Sequence, residues 1–215
     1  MKVLSIHTGR PRSEQRPSGE LLTAGIKTEV PSALLRFAGF EGDDVAHHEF
    51  HGGPDRTACV YPAAHYAWWK DARGFDLPLG GFSENLTIEG LDEAGICIGD
   101  RVRIGAALAQ VSLPRDPCRT LDRIHGLPDL HRIAQAEGRC GFHMRTLEEG
   151  LVRLGDSFTV VERDERAISV AAVLDLYHGR SSDRALILAL LGMAGFADEG
   201  KRELRRRHAS VLGGL

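Results

Sequence analysis

Residues 96–118 read ICIGDRVRIGAALAQVSLPRDPC, and this stretch decides the fold. Gly99-Asp100 makes a turn. Arg101, Val102, Arg103 and Ile104 then alternate with the period of two that a half-buried strand requires; Gly105 turns the chain again and residues 108–111 return. The expectation is a β-hairpin that delivers one cysteine, Cys118, on to a segment carrying Pro114, Arg115, Asp116, Pro117 and Arg119. Each proline fixes a φ angle and removes a backbone donor, so neither a helix nor a central strand continues through the segment. Cys118 is therefore expected on a stiff loop at a strand end. Arg115 and Arg119 place positive charge nearby, which favours thiolate over thiol and suits a nucleophile or a soft-metal ligand. The other reading is an inert buried thiol, since free cysteine is among the most buried residue types.

Moving outward, residues 3–7 read as a strand and residues 9–19, rich in Pro, Arg and Ser, as a flexible loop. Residues 21–30 read as a second strand whose Lys27 is a solvated lysine. Residues 57–61 form a short strand, and Pro62 is placed to open a helix to about residue 72 with Tyr66 and Trp69 in the core. Residues 77–86 form a Gly-rich loop. Pro128 and Asp129 open a helix that ends near Gly138, and the turn at Gly155-Asp156 precedes a strand over residues 158–162. Strands with few, scattered helices predict a mainly β (α+β) fold, a barrel rather than a doubly wound sheet. No GxGxxG or Walker sequence is present.

After Glu162 the chain turns charged and its period becomes helical. Ser169 is placed to cap a helix carrying Val170, Val173, Leu174 and Tyr177; Ser181 or Ser182 to cap a second through Leu191; Asp198 to open a third. Arg202, Arg205, Arg206 and Arg207 suit the end of that third helix as solvated cations. Residues 1–163 are thus expected to form the barrel domain and residues 164–215 a small three-helix unit, with a protease-sensitive link over residues 163–167.

The 27 basic and 30 acidic residues give a net charge of −3, which argues against a global electrostatic footprint for nucleic acid. Cys59, Cys97, Cys118 and Cys140 contain no CxxC pair, so neither a zinc ribbon nor an iron–sulfur ligand set is visible, and a reduced, cytoplasmic protein is expected. The N-terminus lacks signal-peptide character, and the apolar run over residues 185–195 is too short to span a bilayer, so no membrane association is expected. His47, His48 and His51 do not make the H-E-x-x-H pattern, and Gly52, Gly53 and Pro54 stop any helix there. Two readings of the Gly-Gly-Pro-Asp-Arg run remain: a loop whose N–H groups, with Arg56 and His51, cradle an anion, or a plain turn.

Three stretches together resemble one family: His51-Gly52-Gly53-Pro54-Asp55-Arg56 followed by Tyr61-Pro62, His65-Tyr66 and Trp69; then Glu84-Asn85-Leu86; then Val111-Ser112, Pro114-Arg115 and Pro117-Cys118. The chain resembles MOSC domain proteins of the YiiM-like group, whose three-helix extension its terminal helices resemble. The resemblance implies a β-barrel that binds the pterin form of the molybdenum cofactor (molybdopterin), with Cys118 as metal ligand and catalytic residue. It implies that Lys27, His51, Arg56, Asn85 and Arg115 lie around the pterin and its phosphate, with Gly52 and Gly53 in the same cofactor-binding loop. The implied activity is reduction of N-hydroxylated compounds, such as hydroxylaminopurine-like bases and hydroxylamines, to amines. Electrons would come from an external reductase, a flavin or iron–sulfur protein. A noncatalytic cofactor or sulfur carrier using Cys118 is the alternative, and a structural interaction module a third. Two positions depart from the family pattern: Ser83, where many relatives carry Gly and where a positive φ is at issue, and Leu113, where many carry Gln. The oligomeric state, a homodimer included, is left open by the sequence.

Overall fold

A computed structural model describes residues 1–49 and 51–213. The first part of the chain contains β1 (Lys2–Thr8), β2 (Arg12–Arg16), β3 (Gly19–Thr23), β4 (Thr28–Glu29), β5 (Ser32–Arg36), β6 (Gly39–Phe40) and β7 (Ala58–Pro62). Then come α1 (Ala64–Arg73), β8 (Leu86–Glu89), β9 (Arg101–Ile104), β10 (Ala107–Pro114), α2 (Arg119–His125) and α3 (Leu130–Glu137). The last part holds β11 (Phe142–Glu148), β12 (Gly150–Arg153), β13 (Phe158–Glu162), α4 (Val170–Tyr177), α5 (Arg184–Leu191), α6 (Asp198–Arg207) and α7 (Ala209–Leu212).

The hairpin is β9–β10, paired from Ala107↔Ile104 to Gln110↔Arg101, and β10 stops at Pro114 as the proline dictates. Around it grows an eight-stranded sheet in the order β13-β9-β10-β11-β7-β8-β1-β4. The sheet is antiparallel except for the β7–β8 pair, whose crossover passes through α1. It curls into a half-barrel: Val3 N donates to Asp156 O and Phe158 N to Met1 O, so the β1 edge meets the chain around β13. A three-stranded sheet, β12-β5-β6, and the β2–β3 hairpin complete the β structure. The mainly β barrel fold is thus as expected.

Several local expectations are corrected. Residues 9–19 are not a loop throughout, because β2 pairs with β3 around Gly19, whose φ of +96° a glycine accommodates. The sequence RSEQR of β2 has no apolar alternation, so its strand character is silent. Residues 21–30 are not one strand: β3 ends at Thr23 and Gly25 lies against the site, where a Cβ would come 2.8 Å from Ser83 Oγ and 2.9 Å from Ile124 Cδ1. Pro62 is the last residue of β7, and α1 starts at Ala64. The cap of α5 is Asp183, accepting from the backbone of Ala185 and Leu186, not a serine. Ser169 caps α4 as expected, accepting from Ala172 N.

Two cores support the site. The larger joins barrel residues such as Val102, Ile104 and Val111 to Val170, Val173, Leu174, Ile187, Leu190 and Leu204 of α4 to α6 in one apolar cluster. Over residues 163–167, Arg163 donates to the carboxylate of fully buried Asp100 and to Gly95 O, tying this stretch to the barrel. The smaller core packs Tyr61, Tyr66, Trp69 and Phe82 against Leu121 and Leu130 of α2 and α3. Tyr61 stacks on Phe82 at 4.2 Å, and Trp69 Nε1 donates to Tyr61 Oη. Among the described residues, no helix is long and apolar enough to cross a membrane.

Candidate functional site

One pocket collects the chemistry. Its lining includes Lys27, His51, Gly52, Arg56, Asn85, Arg115 and Cys118 from the sequence-based set, while Gly53 is not among the lining residues. It also includes Asp43, Cys59, Ser83, Thr120 and His143, which the sequence reading did not assign to the site.

Cys118 stands between the end of β10 and the start of α2, and its side chain reaches solvent. The pocket wall still removes enough water to push the thiol up, but hydrogen bonds from the His51 ring and from the Thr120 hydroxyl and backbone more than reverse this. The thiol is lowered from its ordinary value of 9.0 to about 6. The expectation that the flanking arginines create the thiolate is therefore corrected: His51 and Thr120 are the principal partners. The other three thiols are buried. Burial pushes each of them up, so Cys118 alone combines exposure with an acidic thiol.

Arg115 is held from both ends. Its backbone N donates to Gly141 O at 3.1 Å, and its guanidinium lies 5.9 Å from the Phe82 ring centroid. Its Nη1 is enclosed, with no hydrogen-bond partner among the described residues. Burial works against its charge, and Cys59, Glu84, Tyr61 and Cys118 hold the guanidinium charged against it. Arg56 reaches the pocket from the loop after Gly53 and pairs with Glu199 of α6.

Lys27 is not solvated as its strand reading implied: its side chain is 7% exposed and pairs with Asp43 Oδ1. Asn85 explains why Asp43 is there. Its Oδ1 accepts from Cys59 N at 2.9 Å, and its Nδ2 donates to His7 O at 3.2 Å and to Asp43 Oδ2 at 2.7 Å. The Asn85 amide thus fastens β1, β7 and the Asp43 turn together, and Asp43 in turn fixes Lys27. Neighbouring Glu84, fully buried, accepts from Tyr66 Oη, Thr87 Oγ1 and Gly80 N through one oxygen, which fixes the loop entering β8.

The Cys118 loop is anchored by elements far away in sequence. Asp116 accepts from Gln135 of α3 at 2.7 Å and from Arg207 of α6 at 3.1 Å, and lies 3.8 Å from His178. Arg207 is therefore not a solvated helix end, unlike exposed Arg205 and Arg206. Asp43 carries no motif signal in the sequence, whereas His143 alternates with buried Phe142 and Met144 along β11, which sets it on the opposite face of the strand.

The MOSC domain family model matches residues 47–159, more than half of the chain, from the histidine-rich loop through Cys118 to β13. The chain belongs to the MOSC domain family. Among MOSC relatives, the uncharacterised Bacillus subtilis protein YflK is 34% identical over 211 residues, covering 98% of this chain and 96% of that protein. Escherichia coli YiiM is 32% identical over 216 residues, covering 96% and 92%. The crystal structure of YiiM from Geobacillus stearothermophilus superimposes with a TM-score of 0.80 at 29% identity, covering 96% of this chain and 98% of that one. A Gibberella moniliformis protein named as a reductase is 29% identical over 184 residues, 83% of this chain and 32% of its own length.

Proposed function

We propose that this MOSC protein binds the pterin form of the molybdenum cofactor and reduces N-hydroxylated compounds, hydroxylamines and hydroxylaminopurine-like bases among them, to amines. The observation that carries this reading is the meeting of a solvent-reaching, acidic thiol at Cys118 with Arg56, Arg115 and Lys27 in one pocket. The residues fit the group. A thiolate suits a soft, sulfur-rich metal centre, and the enclosed, unpartnered Nη1 of Arg115 is a donor placed to meet an acceptor such as a phosphate oxygen. MOSC domains form a molybdenum cofactor sulfurase-like family, and the relative named as a reductase supports an oxidoreductase role.

When bound, the cofactor would supply two-electron redox chemistry. This chain would do the rest. Cys118 would hold the metal, kept anionic by His51 and Thr120; Arg56 and Arg115 would hold the phosphate; Lys27, positioned by Asp43 and Asn85, would contact the pterin with Gly52. In the overall reaction the N–O bond breaks, and two electrons from an external flavin or iron–sulfur reductase together with two protons yield the amine and water. The test is metal and pterin analysis of protein made in a host that synthesises the cofactor, followed by an assay of amine formation from hydroxylamine with a chemical reductant. Molybdenum and pterin that copurify with the native chain, disappear in Cys118→Ser and support turnover are expected; native protein free of both would overturn the proposal.

The exposure of Cys118 also suits a second reading, a noncatalytic carrier of cofactor or sulfur. Loaded, reduced protein that is not reoxidised by N-hydroxylated substrate would favour the carrier.

A further inference from the structure

We infer that His143 is a third donor to the oxyanion held in this pocket, offering Nε2–H to a phosphate oxygen beside Arg56 and Arg115. This rests on the reading of the pocket as a phosphate site. His143 lies in β11 between β10 and β7, in register with Leu113 on one side and Cys59 on the other. Directly paired residues project to the same face, and both Cys59 and His143 line the pocket.

The backbone carbonyl of His143 accepts from Ser112 Oγ at 2.9 Å, which fixes the residue in place. In the ring, Nδ1 is enclosed, and no described residue hydrogen-bonds to either nitrogen. The ring therefore meets the pocket through its Nε2 edge. Burial, together with the cationic Arg56 and Arg115 and with His51, keeps this imidazole neutral, well below its ordinary value. A neutral imidazole carries one proton. Placing it on the enclosed Nδ1 would bury an unpaired N–H, so it belongs on Nε2.

The result is a donor without charge next to two arginines, which adds a hydrogen bond to a bound oxyanion without adding like-charge repulsion. An enclosed ring nitrogen with no partner is also a cost that a leucine or phenylalanine at this strand position would avoid. A ligand contact at the other nitrogen gives that cost a purpose.

The test uses the full, cofactor-free chain titrated with inorganic phosphate, followed by NMR of 15N-labelled histidine side chains and by calorimetry. Phosphate should shift the Nε2 signal that is missing from His143→Phe. The phosphate affinity of His143→Phe should fall about two- to tenfold, the range of one neutral hydrogen bond. His143→Gln, whose amide nitrogen can stand near the Nε2 position, should stay within about twofold of wild type. If Arg56→Ala and Arg115→Ala lose phosphate while His143→Phe binds it as tightly as wild type, this inference falls and the phosphate site stands. If all three bind like wild type, the phosphate reading itself is wrong. Should His143→Phe fail to fold, an Nε2 signal absent from His143→Gln that does not move in wild type at saturating phosphate overturns the inference.

Discussion

Glu199, in the first turn of α6, forms an ion pair with Arg56 in the pocket, 143 positions away in sequence. The same helix holds the Cys118 loop through Arg207 and Asp116. The terminal helices thus reach both a pocket arginine and the loop of the thiolate. A phosphate bound by Arg56 must compete with the Glu199 carboxylate.

Glu199→Gln should therefore raise affinity for inorganic phosphate by about two- to fivefold, the strength of a partly exposed ion pair, with the melting temperature nearly unchanged. Calorimetric titration at low and moderate salt checks this. A fall in affinity would mean that Glu199 supports the arginine rather than competing for it.

Cys118 should alkylate before Cys59, Cys97 and Cys140, with a rate that rises through a midpoint near pH 6. His51→Phe removes the leading stabilising partner and should move that midpoint up towards the ordinary value of 9.0. Because the folded value is depressed, the stabilisation linked to this thiolate is fully present above the unfolded value and is lost as pH falls through about 6. Loaded protein should protect Cys118, since a metal-bound sulfur is not free to attack. Mass spectrometry of partly alkylated samples reads both effects, and equal labelling with and without cofactor would remove Cys118 as the ligand.

What was legible in the sequence was local. Arg101 to Ile104 announce their strand by alternation, Ser169 caps the helix that follows it, and Pro114 ends β10 where a proline must. Of the site residues that the family resemblance implies, only Gly53 lies outside the lining, with nothing within 4 Å of an added Cβ, while Asp43, Cys59, Thr120 and His143 carry no such signal. What was not legible was pairing across the chain. Lys27 meets Asp43, Arg56 meets Glu199 and Arg207 meets Asp116 only because the curled sheet and the docked helices bring them together. The charge of the Cys118 thiol was anticipated, but its source was misassigned because sequence proximity favoured Arg115 and Arg119 over a histidine 67 positions earlier.

Asn85→Asp should destabilise the fold by about 2–4 kcal/mol, because a buried donor to His7 O and to the Asp43 carboxylate becomes a carboxylate facing both. Urea denaturation measures the loss. Lys27 should also lose its fixed position, so phosphate or cofactor retention should fall further in this variant than stability alone accounts for. A variant as stable as wild type would show that the Asn85 amide does not organise the Asp43 turn.

Ser83 has a φ of +61°, in the left-handed region that a residue with a Cβ enters at a cost of roughly 1–2 kcal/mol. Its N donates to Gly80 O at 2.8 Å, which closes the turn before Glu84 and leaves the backbone no freedom to relax. Glycine at this position would take the same φ free of strain. Glycine also loses more entropy on folding, by about 0.5–1 kcal/mol, so the two effects partly offset. Ser83→Gly should gain about 0.5–1 kcal/mol of stability, read as a higher denaturant midpoint at unchanged slope. Ser83→Ala is the control: it keeps the Cβ and the strained φ while removing the hydroxyl that faces Gly25, and should bring no gain. If the alanine variant is stabilised as much as the glycine variant, backbone strain at Ser83 is not the cause.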